Sequence, residues 1–332
     1  MKYIIDGHYD ILMDVAARRK KGERQVIRRR YYPAFQKGGV TGIVASIFVD
    51  SQYLPYGALS VAMEQISALH CEIEETPDLL MLCTSADDFL RAAETGKIGF
   101  LLSFEGAEPV SSCLLLHGFY AAGVRGLGLA WSRRNAAADG CDFSGSLKKG
   151  GLTEFGRELV KEAEDLHMIL DLSHLSDEGV EDVLSITSCP VIASHSNSRA
   201  VAGSNRNLTD SQMREIASRG GTVGLNGCSL LTAGPGVPPD QNGLTAHLDH
   251  MTEIMGEDHV ALGFDFCDSF FADDLSSSTD QMPERPFDIL SRAHEDLPAF
   301  LDHLRQHGYT ESHLAKLAGE NWLNTFRHIL KH

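Results

Sequence analysis

Residues 168–195 read MILDLSHLSDEGVEDVLSITSCPVIASH. Two short apolar runs, Ile169–Leu172 and Val191–Ala193, each end in Ser-His. Between them, Ser176–Ser185 opens S-D-E, with acids where the positive end of a helix dipole favours them. This is one strand–helix–strand unit, and the alternation continues in both directions. Further apolar runs lie at Tyr3–Ile5, Gly42–Val49, Ile98–Phe104, Val124–Ala130, Thr222–Leu225 and Val260–Phe264, eight in all. Most are apolar throughout, as strands covered on both faces are. Helical spacing and capping residues mark Ala58–Glu75, Ser85–Thr95, Thr153–His167, Thr209–Arg219, Leu244–Met255 and Glu311–Leu330. Eight strands with helices between them predict an α/β fold, a closed (β/α)8 TIM-like barrel. The reading makes 1–332 a single barrel domain with insertions near 17–39 and 270–285. An open doubly wound sheet is the alternative, but no G-x-G-x-x-G follows the first run, so its nucleotide-binding version has no support.

The chain has 332 residues, 43% hydrophobic and 23% charged, which excludes a disordered protein. No apolar run approaches the roughly 18–20 residues of a membrane span. The start, MKYIIDGHYD, lacks the apolar core of a secretory signal, and the end, FRHILKH, is not a lipid-anchor tail. Seven cysteines, at 71, 83, 113, 141, 189, 228 and 267, are scattered and odd in number, so reduced thiols in a cytoplasmic protein are expected. A net charge of −17 argues against nucleic acid as a partner. Arg18 to Arg30 opposes the trend, with eight basic residues against one acid, Glu23. The expectation there is a solvated loop; the functional alternative is a basic rim that attracts carboxylates.

In a parallel barrel, chemistry sits where strands end and loops begin. The ends here carry Asp6-Gly7-His8-Tyr9-Asp10, Ser103-Phe104-Glu105, Ala130-Trp131-Ser132, Asp171-Leu172-Ser173-His174, Ala193-Ser194-His195, Leu225-Asn226 and Phe264-Asp265. His8 and Asp10, two apart, share a side of an extended chain and can chelate one divalent ion. His174 and His195 follow neighbouring strands and can share another. No strand end carries a lysine to bridge two ions; Lys97 precedes its strand and Lys148-Lys149 lie in a glycine-flanked loop. Glu105 is the available bridge, one oxygen to each ion. Nitrogen and oxygen donors without thiolate point to zinc, with manganese, cobalt or iron as alternatives. Asp265 reads as a proton shuttle, or else as a ligand or an orienter of a histidine.

These residues sit in blocks that resemble the membrane (renal) dipeptidase family of binuclear zinc peptidases, family M19. The blocks are D-G-H-Y-D, S-F-E-G-A, G-V-R-G-L-G-L, G-L-T-E-F-G-R-E-L-V, D-L-S-H, P-V-I-A-S-H-S, R-N-L-T-D and A-L-G-F-D-F, and they span nearly the whole chain. The resemblance implies a metal-dependent hydrolase barrel with two zinc ions. It implies His8, Asp10 and Glu105 as ligands of one ion, and Glu105, His174 and His195 as ligands of the other. Asp265 stands where the family has its proton-transferring aspartate, and Arg206 where an arginine grips the substrate carboxylate. The implied activity is hydrolysis of dipeptides by a metal-bridging hydroxide, with a D-residue accepted at the C-terminal position. Three positions depart from the family. Trp131 replaces a substrate-contacting histidine, Gly106-Ala107 replaces a glycine pair, and Asp265-Phe266-Cys267-Asp268 replaces D-F-D-G. Two other readings remain open: a different binuclear amide or lactone hydrolase on the same barrel, and a silent ligand-binding barrel. The partner expected is a small peptide substrate rather than nucleic acid or membrane, and a homodimer is admitted.

Overall fold

The β-branched and aromatic runs form strands because each is sealed on both faces, by the barrel interior and by the surrounding helices. The computed structural model describes residues 1–141, 150–271 and 287–330. Nine strands are found there: β1 (Ile5–Tyr9), β2 (Gly42–Phe48), β3 (Leu80–Leu82), β4 (Ile98–Glu105), β5 (Val124–Gly128), β6 (Ile169–Asp171), β7 (Ile192–Ala193), β8 (Thr222–Leu225) and β9 (Val260–Leu262). Eight run in the order β1-β2-β4-β5-β6-β7-β8-β9, all parallel, while β3 pairs only with β4. The result is a near-closed parallel barrel ringed by helices.

Register aligns the functional ends. One row runs Phe48, Glu105, Gly128 and Asp171 across four strands. Where β7, β8 and β9 meet, the interior is narrow. A Cβ on Gly224 or Gly263 would collide with the backbone oxygen of Ser194, so only glycine fits at either place.

No ladder joins β9 to β1 among the described residues. A side chain spans that seam instead. Asp6 Oδ1 accepts the Phe264 backbone N–H at 2.9 Å, and Oδ2 faces His294 Nε2 at 2.8 Å. The Asp265 N–H reaches the His8 carbonyl at 3.3 Å. The opposite end is plugged. Ile5, Val44, Leu101, Ile169, Ile192 and Ala261 cluster with Trp322 and Phe326 of the helix Asn321–Ile329. One end is therefore apolar and sealed, and the polar end carries the site.

Three expectations need correction. The first strand is Ile5–Tyr9, not Tyr3–Ile5, so Asp6 and His8 lie within it. Their burial breaks the apolar pattern that the sequence reading relied on. The short β3 was not expected. Arg18–Arg30 is a solvated loop only in part: its ends lie in the helix Ile11–Lys20 and a π-helical turn Ile27–Tyr31, and the exposed linker between them carries Lys21 and Arg24. Its cations meet acids. Arg18 is buried against Asp14 at 2.7 Å, Arg19 pairs with Glu72 and with Glu75 at 2.7 Å, and Arg28 pairs with Asp78 at 2.9 Å. The expected insertion at 270–285 lies almost wholly outside the described residues.

Candidate metal centre

His8 comes from β1, and Asp10 is the residue before the helix Ile11–Lys20. The Asp10 carboxylate makes no capping hydrogen bond to that helix. It turns toward His8 instead, 3.7 Å from Nε2. Glu105 ends β4, and its two oxygens face different neighbours. Oε2 lies 3.6 Å from His8 Nε2 and accepts Ser46 Oγ–H at 3.1 Å. Oε1 lies 2.9 Å from His174 Nε2 and 3.6 Å from His195 Nε2. The two histidines stand with their Nε2 atoms 2.9 Å apart.

All five ligand-type residues named from the sequence are thus brought together. Donor atoms of His8, Asp10 and Glu105 lie within 4.8 Å of one another, as do those of Glu105, His174 and His195. Glu105 belongs to both sets. His8, His195 and Asp265 make a third. Lys148 and Lys149 lie outside the described residues.

The electrostatics ask for cations. Burial pushes the Glu105 carboxyl up to about 8, and neighbouring Asp10 adds to the rise. Burial raises Asp265 to about 6, against the pull of His8. Burial works against charge on His8, but Glu105 and Asp10 raise it well above the usual imidazole range. Burial holds His174 and His195 neutral, helped by Arg206 and His8. His8 Nε2 and Asp10 Oδ1 are buried and form no hydrogen bond. Such orphaned atoms cost about 1–3 kcal/mol each when nothing binds them. Imidazole nitrogens and converging carboxylates are the donor types that a divalent ion of the zinc class takes, displacing ring protons as it binds. The residues fit a metal centre.

Two site residues carry backbone strain. His174 has φ 68° and Asp265 φ 60°, both in the left-handed region that side-chain-bearing residues avoid. Asp265 sits 3.9 Å from His8 Nε2 and accepts Asn226 Nδ2–H at 3.1 Å. Arg206 is buried behind the histidines. It donates to His174 Nδ1 at 3.1 Å, Ser196 Oγ at 2.7 Å and the His195 carbonyl at 2.8 Å. Trp131 packs between Phe48, at a ring separation of 5.4 Å, and His174, at 5.8 Å.

The sequence reading assigned nothing to the partners behind the histidines. Ser132 Oγ meets His174 Nδ1 at 2.7 Å, and Ser194 Oγ meets His195 Nδ1 at 2.6 Å. The serine directly before His195 was an available signal for the second pair; Ser132 comes from a different strand end and left none beside His174. At the displaced aspartate, Asp268 accepts the backbone N–H groups of Phe287 and Asp288, and Asp288 accepts those of Cys267 and Asp268. The pair ties two segments together and is satisfied by backbone.

A family model described as membrane dipeptidase, peptidase family M19, matches residues 2–331. An uncharacterized protein in the pqqA 5′ region of Klebsiella pneumoniae is 33% identical over 283 residues, which cover 83% of this chain and 98% of that protein. Human dipeptidase 3 is 28% identical over 99% of this chain, which spans 65% of that protein's length. Among solved structures, dipeptidase AC, a metallopeptidase of family M19, superposes with a TM-score of 0.85 at 29% identity, covering 99% of this chain and 98% of its own. A Rhodobacter sphaeroides metallopeptidase, liganded with a phosphinate mimic of the dipeptide L-Ala-D-Ala, gives 0.83 at 29% identity, covering 98% and 99%.

Proposed function

The chain belongs to the membrane dipeptidase family, a family of metallo-dipeptidases, and from that premise we propose that it cleaves dipeptides with two divalent ions, zinc foremost, held by His8, Asp10, Glu105, His174 and His195. The observation that carries the proposal is Glu105, which turns one oxygen to each set of donors. Divalent ions there supply Lewis acidity toward a peptide carbonyl and acidify water near neutral pH.

The chain's own residues do the rest. Asp265 takes a proton at its carboxylate and passes it to the leaving amine; its place 3.9 Å from His8 Nε2, beside the donor cluster, suits that exchange. Arg206 holds the C-terminal carboxylate of the substrate. A guanidinium has five N–H groups and three serve His174, Ser196 and His195, which leaves two for a ligand. The Trp131 indole lines the pocket beside His174. The R. sphaeroides relative, bound to an L-Ala-D-Ala mimic, supports acceptance of a D-residue at the C-terminal position. The seven cysteines, scattered and odd in number, support a cytoplasmic location.

The test compares a free dipeptide with its C-terminal amide. A charge-assisted carboxylate contact is worth about 1.5–3 kcal/mol. The amide should therefore be a poor substrate, and Arg206→Ala should raise KM for the free dipeptide by roughly 10–100-fold. Arg206→Lys should recover part of the loss, since an ammonium cannot grip both oxygens. Equal turnover of amide and acid would remove Arg206 from the site and favour an amide or lactone hydrolase.

A further inference from the structure

Behind the donor cluster, on the side away from Glu105, lies a hydrogen-bonded pair to which the reaction assigns nothing. Ser194 Oγ donates to Asp171 Oδ2. Asp171 Oδ1 accepts the backbone N–H of Ser194 at 2.9 Å and of Ser173 at 3.0 Å. Ser194 Oγ also faces two imidazoles, His195 Nδ1 at 2.6 Å and His8 Nδ1 at 3.4 Å. Its remaining neighbour, Ser173 Oγ at 3.4 Å, accepts the His195 backbone N–H.

The directions of these bonds are constrained. A serine hydroxyl has one proton, and an ionised carboxylate can only accept. With that proton committed to Asp171, Ser194 Oγ can only accept from the two rings. Both Nδ1 atoms then carry hydrogen, so each ring in its neutral form keeps its lone pair on Nε2. Those lone pairs point where the ligand sets need them: His195 Nε2 toward Glu105 Oε1, and His8 Nε2 toward Glu105 Oε2. Ser194 is 1% exposed and Asp171 5%, so water does not compete for these bonds. The backbone is pinned as well, since the Ser194 carbonyl is wedged against Gly224 and Gly263.

We propose that Asp171 and Ser194 form one anchor that sets the tautomer of His8 and His195 together, and so readies both metal positions at once. The anchor couples the two positions from behind, as Glu105 couples them from in front. It rests on the two-ion reading above. Both are positioning residues, and neither touches substrate.

The two obvious substitutions separate hydrogen-bond direction from bulk. Ser194→Ala removes the acceptor and leaves two ring N–H groups unpaired. Asp171→Asn is nearly isosteric and keeps the Oδ1 acceptor for the backbone. Its amide donates to Ser194, however, which turns the serine proton onto the imidazoles and favours the wrong tautomer. The milder change in shape should therefore do the greater harm.

The experiment titrates metal-depleted protein with zinc against a competing chelator, and with cobalt(II) followed by its visible absorption. Wild type should take up about two ions per chain. Ser194→Ala should weaken binding at both positions by about 10-fold, and Asp171→Asn by about 100-fold, the range expected when the outer partner of a ligand is lost. The cobalt spectrum should change in both variants, while the metal-depleted variants melt within a few degrees of metal-depleted wild type. Two ions in wild type with only one position weakened in Ser194→Ala would overturn the anchor and leave the two-ion reading standing. So would a Ser194→Ala loss larger than that of Asp171→Asn. If Asp171→Asn fails to fold, Ser194→Ala decides alone. One ion in wild type would overturn both.

Discussion

The floor and the rim of the open barrel end are built differently. On the floor, His8, Glu105, His174 and His195 are at most 9% exposed, and each is set by a strand or the residues just past one. Register fixes where they stand, and buried serines fix how they turn. The rim holds Phe48, Trp131, Arg133 and Glu108. There the Arg133 guanidinium lies 5.0 Å from the Trp131 ring centre and 5.6 Å from that of Phe48. Arg133 also pairs with Glu108 at 3.1 Å and donates to the Val49 carbonyl at 2.6 Å. Stacking, an ion pair and a backbone hydrogen bond hold this wall together, and of its four residues only Phe48 belongs to the strand ladder. A floor set by register tolerates little change, whereas a stacked rim can be repacked. The resemblance read from the sequence keeps every expected ligand type on the floor; its departures are Trp131 on the rim, Gly106-Ala107 just past Glu105 and Phe266-Cys267-Asp268 just past Asp265.

Substitutions should respect that division. Glu105→Gln strikes the floor and carries the largest expected effect. Loss of a bridge worth several kcal/mol of charge stabilisation should lower kcat/KM on a dipeptide by on the order of 10³-fold or more. Asp265→Asn comes next. Steady-state assays should show kcat reduced by about 10²-fold with metal content near normal, as when a proton carrier is lost. Loss of a metal from that variant would make Asp265 a ligand, a role its place beside His8 and His195 also permits.

The rim should respond more gently. Trp131→His should change relative kcat/KM across an L,L and L,D dipeptide panel by a few-fold, on the order of 1 kcal/mol of repacking. Loss of all activity would move Trp131 to the floor. A smaller effect separates the regions by pH. In metal-depleted protein, Glu105 is raised to about 8 and His8 well above its usual range, so between about pH 6.5 and 8 the folded state keeps protons that the unfolded chain has released. Stability falls with rising pH wherever the native state binds more protons. His174 and His195, held neutral, oppose that slope only until the unfolded imidazoles have lost their protons, about a unit above 6.5. Thermal melts from pH 6.5 to 8 should thus show the metal-depleted protein losing stability, and zinc-loaded protein should lose less. Parallel curves would contradict this.

The floor was legible in the sequence because strand ends are marked twice, by the close of an apolar run and by an abrupt polar residue. Glu105, His174, His195 and Asp265 all carry that mark. The first strand was misplaced because Asp6 and His8 are buried polar groups inside it. Their compensation comes from far along the chain, with His294 on Asp6 and Ser194 near His8. Local pattern holds no trace of partners so distant. The same distance hid the Asp6 seam and the Asp171–Ser194 pair. The basic stretch misled for a related reason, since Glu72, Glu75 and Asp78, which meet its arginines, lie on another part of the chain. β3 sits in the apolar run Leu79–Cys83 but pairs only with β4, outside the barrel order, so a count of eight barrel strands passed over it.

The most direct test is the metal count of zinc-repleted, desalted protein, wild type beside Glu105→Gln, by elemental analysis. The account predicts about two ions per chain in wild type and one or fewer in the variant, because a single carboxylate serves both sets of donors. One ion or none in wild type, with Glu105→Gln unchanged, would contradict it.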